Sequence, residues 1–340
     1  MAGRRLSRQQ IERIRTSQQR RRQRAAHAAA PSEDTTALGA EQTGTVLAHH
    51  GGRVLIENGD GVIHGCVPRQ NLGGLVAGDR IVWQTAEGGD GVIVARLPRE
   101  TVLQRPDAGG RLRTMAANVD RLLVVIGADA DPNDWQLDRF LVAGEHAGIA
   151  PVIVINKVDR LDAAARSVLT ERLGIYPELG YPLVFTSTHR EGGLDALLPL
   201  LPSRTSVFVG QSGVGKSSLI NAVVPAAEAR VGTTSEATGK GRHTTTTARL
   251  YRLPGGGSLI DSPGVREFGL VPMSGEAVAE AFPEFRDFLG GCRFRDCRHL
   301  ADEPGCALAA ACAAGHIERR RLESYRRIIE FFSENAPASK

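Results

Sequence analysis

What this sequence lacks narrows its reading. No run approaches the roughly 18 uninterrupted apolar residues of a membrane-spanning helix. The arginines near the N-terminus have no apolar stretch behind them, so neither a membrane span nor a secretory signal is expected. Aromatics make up only 5% of the chain, and Trp83 is the one Phe, Tyr or Trp in the first hundred residues. That leaves the N-terminal region little with which to stack on bases. There are five cysteines, four of them bunched between Cys292 and Cys312. Without an export signal such a bunch argues for metal binding rather than a disulfide framework, and for a cytoplasmic location.

The net charge of +4 is small and unevenly spread. Residues 1–30 hold nine arginines (Arg4, Arg5, Arg8, Arg13, Arg15, Arg20, Arg21, Arg22 and Arg24) against Glu12 alone, so the rest is net acidic. An arginine-rich arm suits a polyanion such as nucleic acid, although a solvated tail would carry the same charge. With few apolar anchors, residues 1–42 read as a disordered arm and linker.

From 43 to 105 the chain shows five short Val- and Ile-rich runs broken by glycine clusters: TGTVLA, RVLIE, GVIHGCV, DRIVWQT and GVIVARL. Such a string predicts a small closed barrel of the OB type, which commonly binds nucleic acid. An SH3-like barrel would leave the same pattern. From 106 to 273 the rhythm becomes α/β, with buried parallel strands at DRLLVVIG and PVIVIN and helices at 134–146, 163–173 and 216–223. Residues 274–340 read as a helical module containing the cysteine cluster and a basic final helix from His316 to about Phe332.

The stretch GQSGVGKS (Gly210 to Ser217) fits the phosphate-binding G-x-x-x-x-G-K-[ST] loop, lies after an apolar strand and opens a helix. Gly210, Gly213 and Gly215 let the backbone curl so that its N–H groups point at phosphate. Lys216 supplies charge at the outer phosphates, and Ser217 a hydroxyl for Mg²⁺. The candidate contacts are therefore Gly210, Gln211, Ser212, Gly213, Val214, Gly215, Lys216, Ser217 and Ser218. Ahead of this loop comes NKVD, in which Asp159 can accept from both N–H groups on the edge of guanine while Asn156 and Lys157 brace the loop. After it comes DSPG, with Asp261 placed near Mg²⁺ and the Gly264 amide toward the terminal phosphate. Together the three select GTP over ATP and mark a P-loop GTPase whose motifs run in circularly permuted order.

Softer pieces surround this core. Ser187 in FTST is placed to cover the guanine, or is a turn serine. In GRHTTTT (Gly241 to Thr247), Thr245 is the first choice for a switch threonine on Mg²⁺, with Thr244 and Thr246 next. The glutamine that often follows DxxG to orient water is absent, and Val265 stands there. Turnover is therefore expected to be slow without a partner. His243 is the best internal candidate for orienting water, against a merely structural histidine. Cys292, Cys297, His299 and Cys306 form C-x4-C-x-H-x6-C, a closed tetrahedral donor set for one structural Zn²⁺, with Cys312 a possible substitute ligand.

A barrel, a permuted GTPase and a three-Cys, one-His module in this order resemble the ribosome small-subunit-dependent GTPase A family, of the RsgA or YjeQ type. The likeness covers about 40–333. It rests on NVDRLLVVIGAD, LDRFLV, NKVD, GQSGVGKSSLIN, GRHTTT, DSPGVREFGL and CRFRDCRHLADEPGCAL. The resemblance implies an OB fold, GTP and GDP as ligands, and late maturation of the 30S subunit with hydrolysis stimulated by the ribosome. It further implies 16S rRNA as a partner, a monomer without membrane attachment, and catalysis by His243 with Lys216 and Thr245. A scaffold that merely holds GTP would turn it over negligibly. A GTP-dependent RNA-modification factor would need a second catalytic pocket, for which the sequence offers no residues.

Overall fold

The computed structural model describes residues 38–334 apart from 51, 71, 87–89, 108–109, 130–133, 225–247, 262–270 and 302. Five strands come first: β1 (Gln42–His50), β2 (Arg53–Asn58), β3 (Ile63–Pro68), β4 (Arg80–Thr85) and β5 (Gly91–Arg96). β1 pairs with both β2 and β4, β3 runs parallel to β5, and β5 returns to β4. The sheet therefore closes along the Greek-key path of an OB-type barrel. Alternation at period two turns Val54, Ile56, Ile81, Trp83 and Ile93 into the barrel's own core.

A hairpin of β6 (Val102–Pro106) and β7 (Leu112–Ala117) follows. It straddles the boundary expected between 105 and 106. Leu103 and Ala116 are fully buried in the same cluster as Leu47 of the barrel and Leu122 of the next region. The two parts therefore share a core here, and no linker separates them. A backbone bridge between Ala48 and Arg249, and an ion pair of Glu57 with Arg252 (Nε–Oε2 2.7 Å), add to the junction. Because Arg252 is 44% exposed, that pair is worth under about 1 kcal/mol, so the shared apolar core dominates.

The α/β region contains β8 (Arg121–Gly127), α1 (Asp134–Ala147), β9 (Ala150–Asn156), α2 (Ala163–Leu173), β10 (Leu183–Phe185), β11 (Thr205–Gly210), α3 (Lys216–Val223), β12 (Arg249–Arg252) and β13 (Ser258–Asp261). Strands β10-β9-β8-β11-β13 are parallel and β12 lies antiparallel on β13. β8 and β9 read as unbroken apolar runs because both their faces are covered. Among the parallel strands, chain order runs outward from β8 through β9 to β10 in one direction and from β11 to β13 in the other. The switch point between them opens a crevice at the strands' C-terminal ends, lined by the loops after β9, β10 and β11, with the end of β13 beside β11.

The last region comprises α4 (Gly275–Glu280), α5 (Ala307–Ala313) and α6 (Arg319–Glu334). α6 begins three residues later than expected from the sequence. Gly315 at φ +80 ends α5, with its N–H on the Cys312 carbonyl and the His316 N–H on that of Ala311, so His316 belongs to a cap. Arg321 of α6 is completely buried between Asp138 of α1 and Glu284, with Nε–Oε1 of Glu284 at 2.6 Å. Its guanidinium also stacks on Phe282 at 4.5 Å, and the Tyr176 hydroxyl donates to Asp138 at 2.9 Å. Burial alone would depress this cation, but the two carboxylates outweigh it and push its pKa up. We expect Arg321→Ala to cost about 3–5 kcal/mol in chemical denaturation, because it strands two buried carboxylates. A cost under about 1 kcal/mol would mean that the network contributes little.

Candidate functional site

The loop after β11 and the loop after β9 are tied to each other. Asn156 is 1% exposed; its Nδ2 donates to the Val214 carbonyl at 3.0 Å and its Oδ1 accepts from Thr186 Oγ1 at 3.2 Å. The contact needs room, and Gly215 provides it. A Cβ there would stand 2.2 Å from Asn156 Nδ2, and the residue has φ +97 at the start of α3. One asparagine thus ties the loop after β9, the loop after β11 and the end of β10 into one body.

Within the phosphate loop, Val214 is buried in the apolar cluster under α3 and anchors the turn. Gln211, Ser212, Gly213, Ser217 and Ser218 are exposed along the crevice. Gly213 has φ +83 and open space beside it, as close approach of a ligand to backbone requires. Lys216 is buried, with Nζ donating to the Gly210 carbonyl at 2.7 Å and also to that of Gln211. Asp261 ends β13, the strand beside β11. These backbone donors at a helix N-terminus, one buried lysine and a strand-end carboxylate fit a magnesium-bound nucleoside phosphate.

At the base end, Lys157 adopts φ +67 and its Nζ lies 3.1 Å from Asp129 Oδ2. Arg160 meets the same carboxylate. Burial pushes Asp129 up, but bonds from Lys157 and Arg160 more than offset it and hold its pKa below the usual range. Asp159 accepts from Ser187 Oγ at 2.6 Å, and Ser187 in turn accepts from the His189 N–H at 3.1 Å. Ser187 therefore positions Asp159 as well as shaping a turn. Its bond is the main reason that the Asp159 pKa falls below the ordinary value. A carboxylate held below its ordinary value stays ionised throughout the physiological range, so any hydrogen bond that Asp159 accepts should not vary with pH there.

The structure thus gathers Asn156, Lys157, Asp159 and Ser187 with Gly210 to Ser218 and Asp261. His243, Thr244, Thr245, Thr246, Gly264 and Val265 lie outside the described residues. Sequence reasoning missed Asp129, Thr186 and Arg190, whose Nη2 donates to the Asp159 carbonyl at 3.1 Å. Asp129 had a signal, since it follows the end of β8 at the crevice edge.

The second site is held by the loops before α5. The donor atoms of Cys292, Cys297, His299 and Cys306 all lie within 4.8 Å of one another. His299 Nδ1 is 3.5, 3.6 and 3.5 Å from the sulfurs of Cys292, Cys297 and Cys306. Tetrahedral Zn²⁺, with Zn–S of about 2.3 Å and Zn–N of about 2.0 Å, places its donors about 3.5 Å apart. The set therefore fits that ion, and Cys312 is outside it. His299 takes φ +60, and its N–H and that of Arg298 donate to Glu303 at 2.9 and 2.7 Å. The Ala307 N–H reaches Cys292 Sγ at 3.2 Å, an outer bond of the kind that supports a thiolate ligand. Burial and Glu303 push the Cys297 thiol up, and a divalent cation among the donors acts in the opposite sense.

Comparison with known proteins agrees with this geometry. The signature of the RsgA GTPase family matches residues 96–271. The chain is 49% identical over 343 residues to the small ribosomal subunit biogenesis GTPase RsgA of Pseudomonas fluorescens, covering 99% of this chain and 100% of that protein. Against the same-named protein of Pseudomonas aeruginosa it is 49% identical over 337 residues, covering 98% and 99%.

The chain belongs to the RsgA GTPase family. As a member of it, the protein is a GTP hydrolase. Two solved structures share its architecture. YjeQ from Thermotoga maritima has a TM-score of 0.70 at 32% identity, over 87% of this chain and 98% of that one. YloQ, described as a circularly permuted GTPase, has 0.71 at 26%, over 91% and 100%.

For this member of the RsgA GTPase family we expect Asp129→Asn to weaken binding of a fluorescent GDP analogue roughly fivefold, the worth of a partly exposed charged pair. Unchanged affinity would make the Asp129–Lys157 contact incidental. Metal analysis of Cys297→Ser should find well under one zinc per chain, and undiminished content would rule out the donor set.

Proposed function

We propose that this chain assists biogenesis of the small ribosomal subunit by binding the 30S particle in its GTP state and hydrolysing the nucleotide in response. The bond from Asn156 to the phosphate loop carries the reading. It holds base recognition and phosphate binding in one rigid crevice, although the motifs occur in permuted order. Support for the partner comes from the relatives, whose names specify small-subunit biogenesis.

In this reading Asp159 accepts from the guanine edge, with Ser187 holding it, while Asn156 and Lys157 brace the loop. The backbone of Gly210 to Gly215 and Lys216 hold the phosphates, alongside Ser218. Ser217 and Asp261, with Thr245 from the switch segment, hold Mg²⁺, and the Gly264 amide meets the terminal phosphate. When bound, Mg²⁺ neutralises charge that develops on the phosphate oxygens. His243 orients the attacking water, a task that Val265 cannot perform. Zn²⁺ at Cys292, Cys297, His299 and Cys306 shapes the C-terminal module. The OB-type barrel and the arginine arm supply contacts to 16S rRNA. The protein works as a cytoplasmic monomer, and no helix among the described residues is long and apolar enough to cross a membrane.

GTPase assays with and without 30S subunits test this directly. We expect strong stimulation by subunits, its loss in Lys216→Ala, and a fall of roughly 100-fold in the stimulated rate of His243→Ala. Equal rates with and without subunits would overturn the ribosome-dependent reading. Full stimulated turnover in His243→Ala would remove that residue from the chemistry.

A further inference from the structure

Phe294 lies between two of the metal-binding cysteines, Cys292 and Cys297, and is 47% exposed. A single exposed apolar side chain is ordinary, but three features set this one apart. It is the most exposed Phe, Tyr or Trp among the described residues, while Trp83 of the barrel is 1% exposed. The barrel therefore has no described Phe, Tyr or Trp to offer a base, and Phe294 does.

The second feature is rigidity. Cys292 and Cys297 pin both ends of the loop, the Arg293 N–H donates to the Gly305 carbonyl at 2.9 Å, and the Cys297 N–H to the Phe294 carbonyl at 3.4 Å. The Arg293 stem packs on Gly305, which has φ +71 and where a Cβ would come within 2.6 Å of Arg293 Cβ. From there the Arg293 guanidinium lies 5.5 Å from the centre of the Phe294 ring. An aromatic already fixed in place loses little entropy when a second ring stacks on it.

The third feature is charge. Arg293, whose guanidinium faces the ring, is exposed, as are Arg295 and Arg298 close by in sequence, with Asp296 the one acid between the cysteines. Arg298 is 77% exposed and only 4.0 Å at best from Glu303, so that pairing consumes little of its charge. Arg327 is exposed on α6, next to Arg326, whose guanidinium donates to the His299 and Leu300 carbonyls. An apolar protein groove would have to desolvate these cations without return, whereas phosphates would pair with them.

We propose that the Arg293–Phe294–Arg295 tip is a stacking platform for an unpaired RNA base, with Arg295 and Arg298 on the phosphates either side. An unpaired base is required because the faces of paired bases are already stacked within a duplex. The proposal rests on the reading that this chain works on an RNA-containing particle, and it names the element that grips a single-stranded segment there.

The test uses the full-length, zinc-loaded chain. Fluorescence anisotropy with a labelled single-stranded oligoadenylate at low salt compares wild type, Phe294→Leu and Phe294→Trp, each verified by metal analysis to hold one zinc. Phe294→Leu should weaken binding roughly 5- to 100-fold, the range for losing one base–aromatic stack, while Phe294→Trp should bind at least as tightly as wild type. Phe294→Leu binding like wild type would overturn the proposal. A photoreactive phenylalanine analogue at position 294, mixed with 30S subunits, should crosslink to RNA, and crosslinks confined to ribosomal proteins would equally overturn it. Absence of 30S-stimulated hydrolysis in wild type would sink the proposed function while leaving the oligonucleotide result standing, so the two failures are distinguishable.

Discussion

The hydrogen bond from Asn156 to the Val214 carbonyl is the constraint on which the nucleotide crevice depends. It joins the NKVD loop to the GQSGVGKS loop, and both partners are buried, so losing it would leave a buried polar group unpaired at about 1–3 kcal/mol. Everything near it is arranged to permit it. Gly215 has no side chain to obstruct the amide, Thr186 satisfies the other end of Asn156, and Val214 is anchored in the core. The bond is compatible with circular permutation because it joins the loops after β9 and β11, which flank β8 in the sheet. Their order along the chain does not enter into its geometry.

The C-terminal module is attached by a different physics. α6 is locked to α1 by a buried arginine whose two carboxylates come from separate segments. Buried charge of this kind does little for net stability compared with an apolar replacement, but it penalises any displacement that parts the ions. The apolar surroundings of Phe282, Phe285 and Tyr325 supply the adhesion, and the ion network supplies the register. The Tyr325 hydroxyl also donates to the Arg298 carbonyl at 2.9 Å, which links the metal loop to the same helix. A path of packed side chains therefore runs from the metal cluster through α6 to α1 of the GTPase region.

The four metal donors stand about as far apart as one tetrahedral ion would hold them, and Glu303 organises the backbone between them. This leaves the residues between Cys292 and Cys297 free to point outward. A loop so short has no core of its own, which is why its exposed side chains need not serve folding.

Much of this was legible in the residues. Period-two and unbroken apolar runs marked the barrel and parallel strands, because alternation and burial are local consequences of which face meets water. The phosphate loop, NKVD and the Cys/His set were legible because each chemistry demands particular residue types at short spacing. Other features could not be read in this way. Asp129 as partner of Lys157, Ser187 as holder of Asp159, and Arg321 between Asp138 and Glu284 all join residues far apart in sequence. The barrel's closure by β3 against β5, and the hairpin sharing its core with both neighbours, depend likewise on long-range pairing. By itself the sequence pointed to the chemistry of the two sites and to the type of most elements. Only the tertiary structure decided which distant charges meet and which side chains remain exposed, because those outcomes depend on how whole elements pack and local spacing carries no record of them.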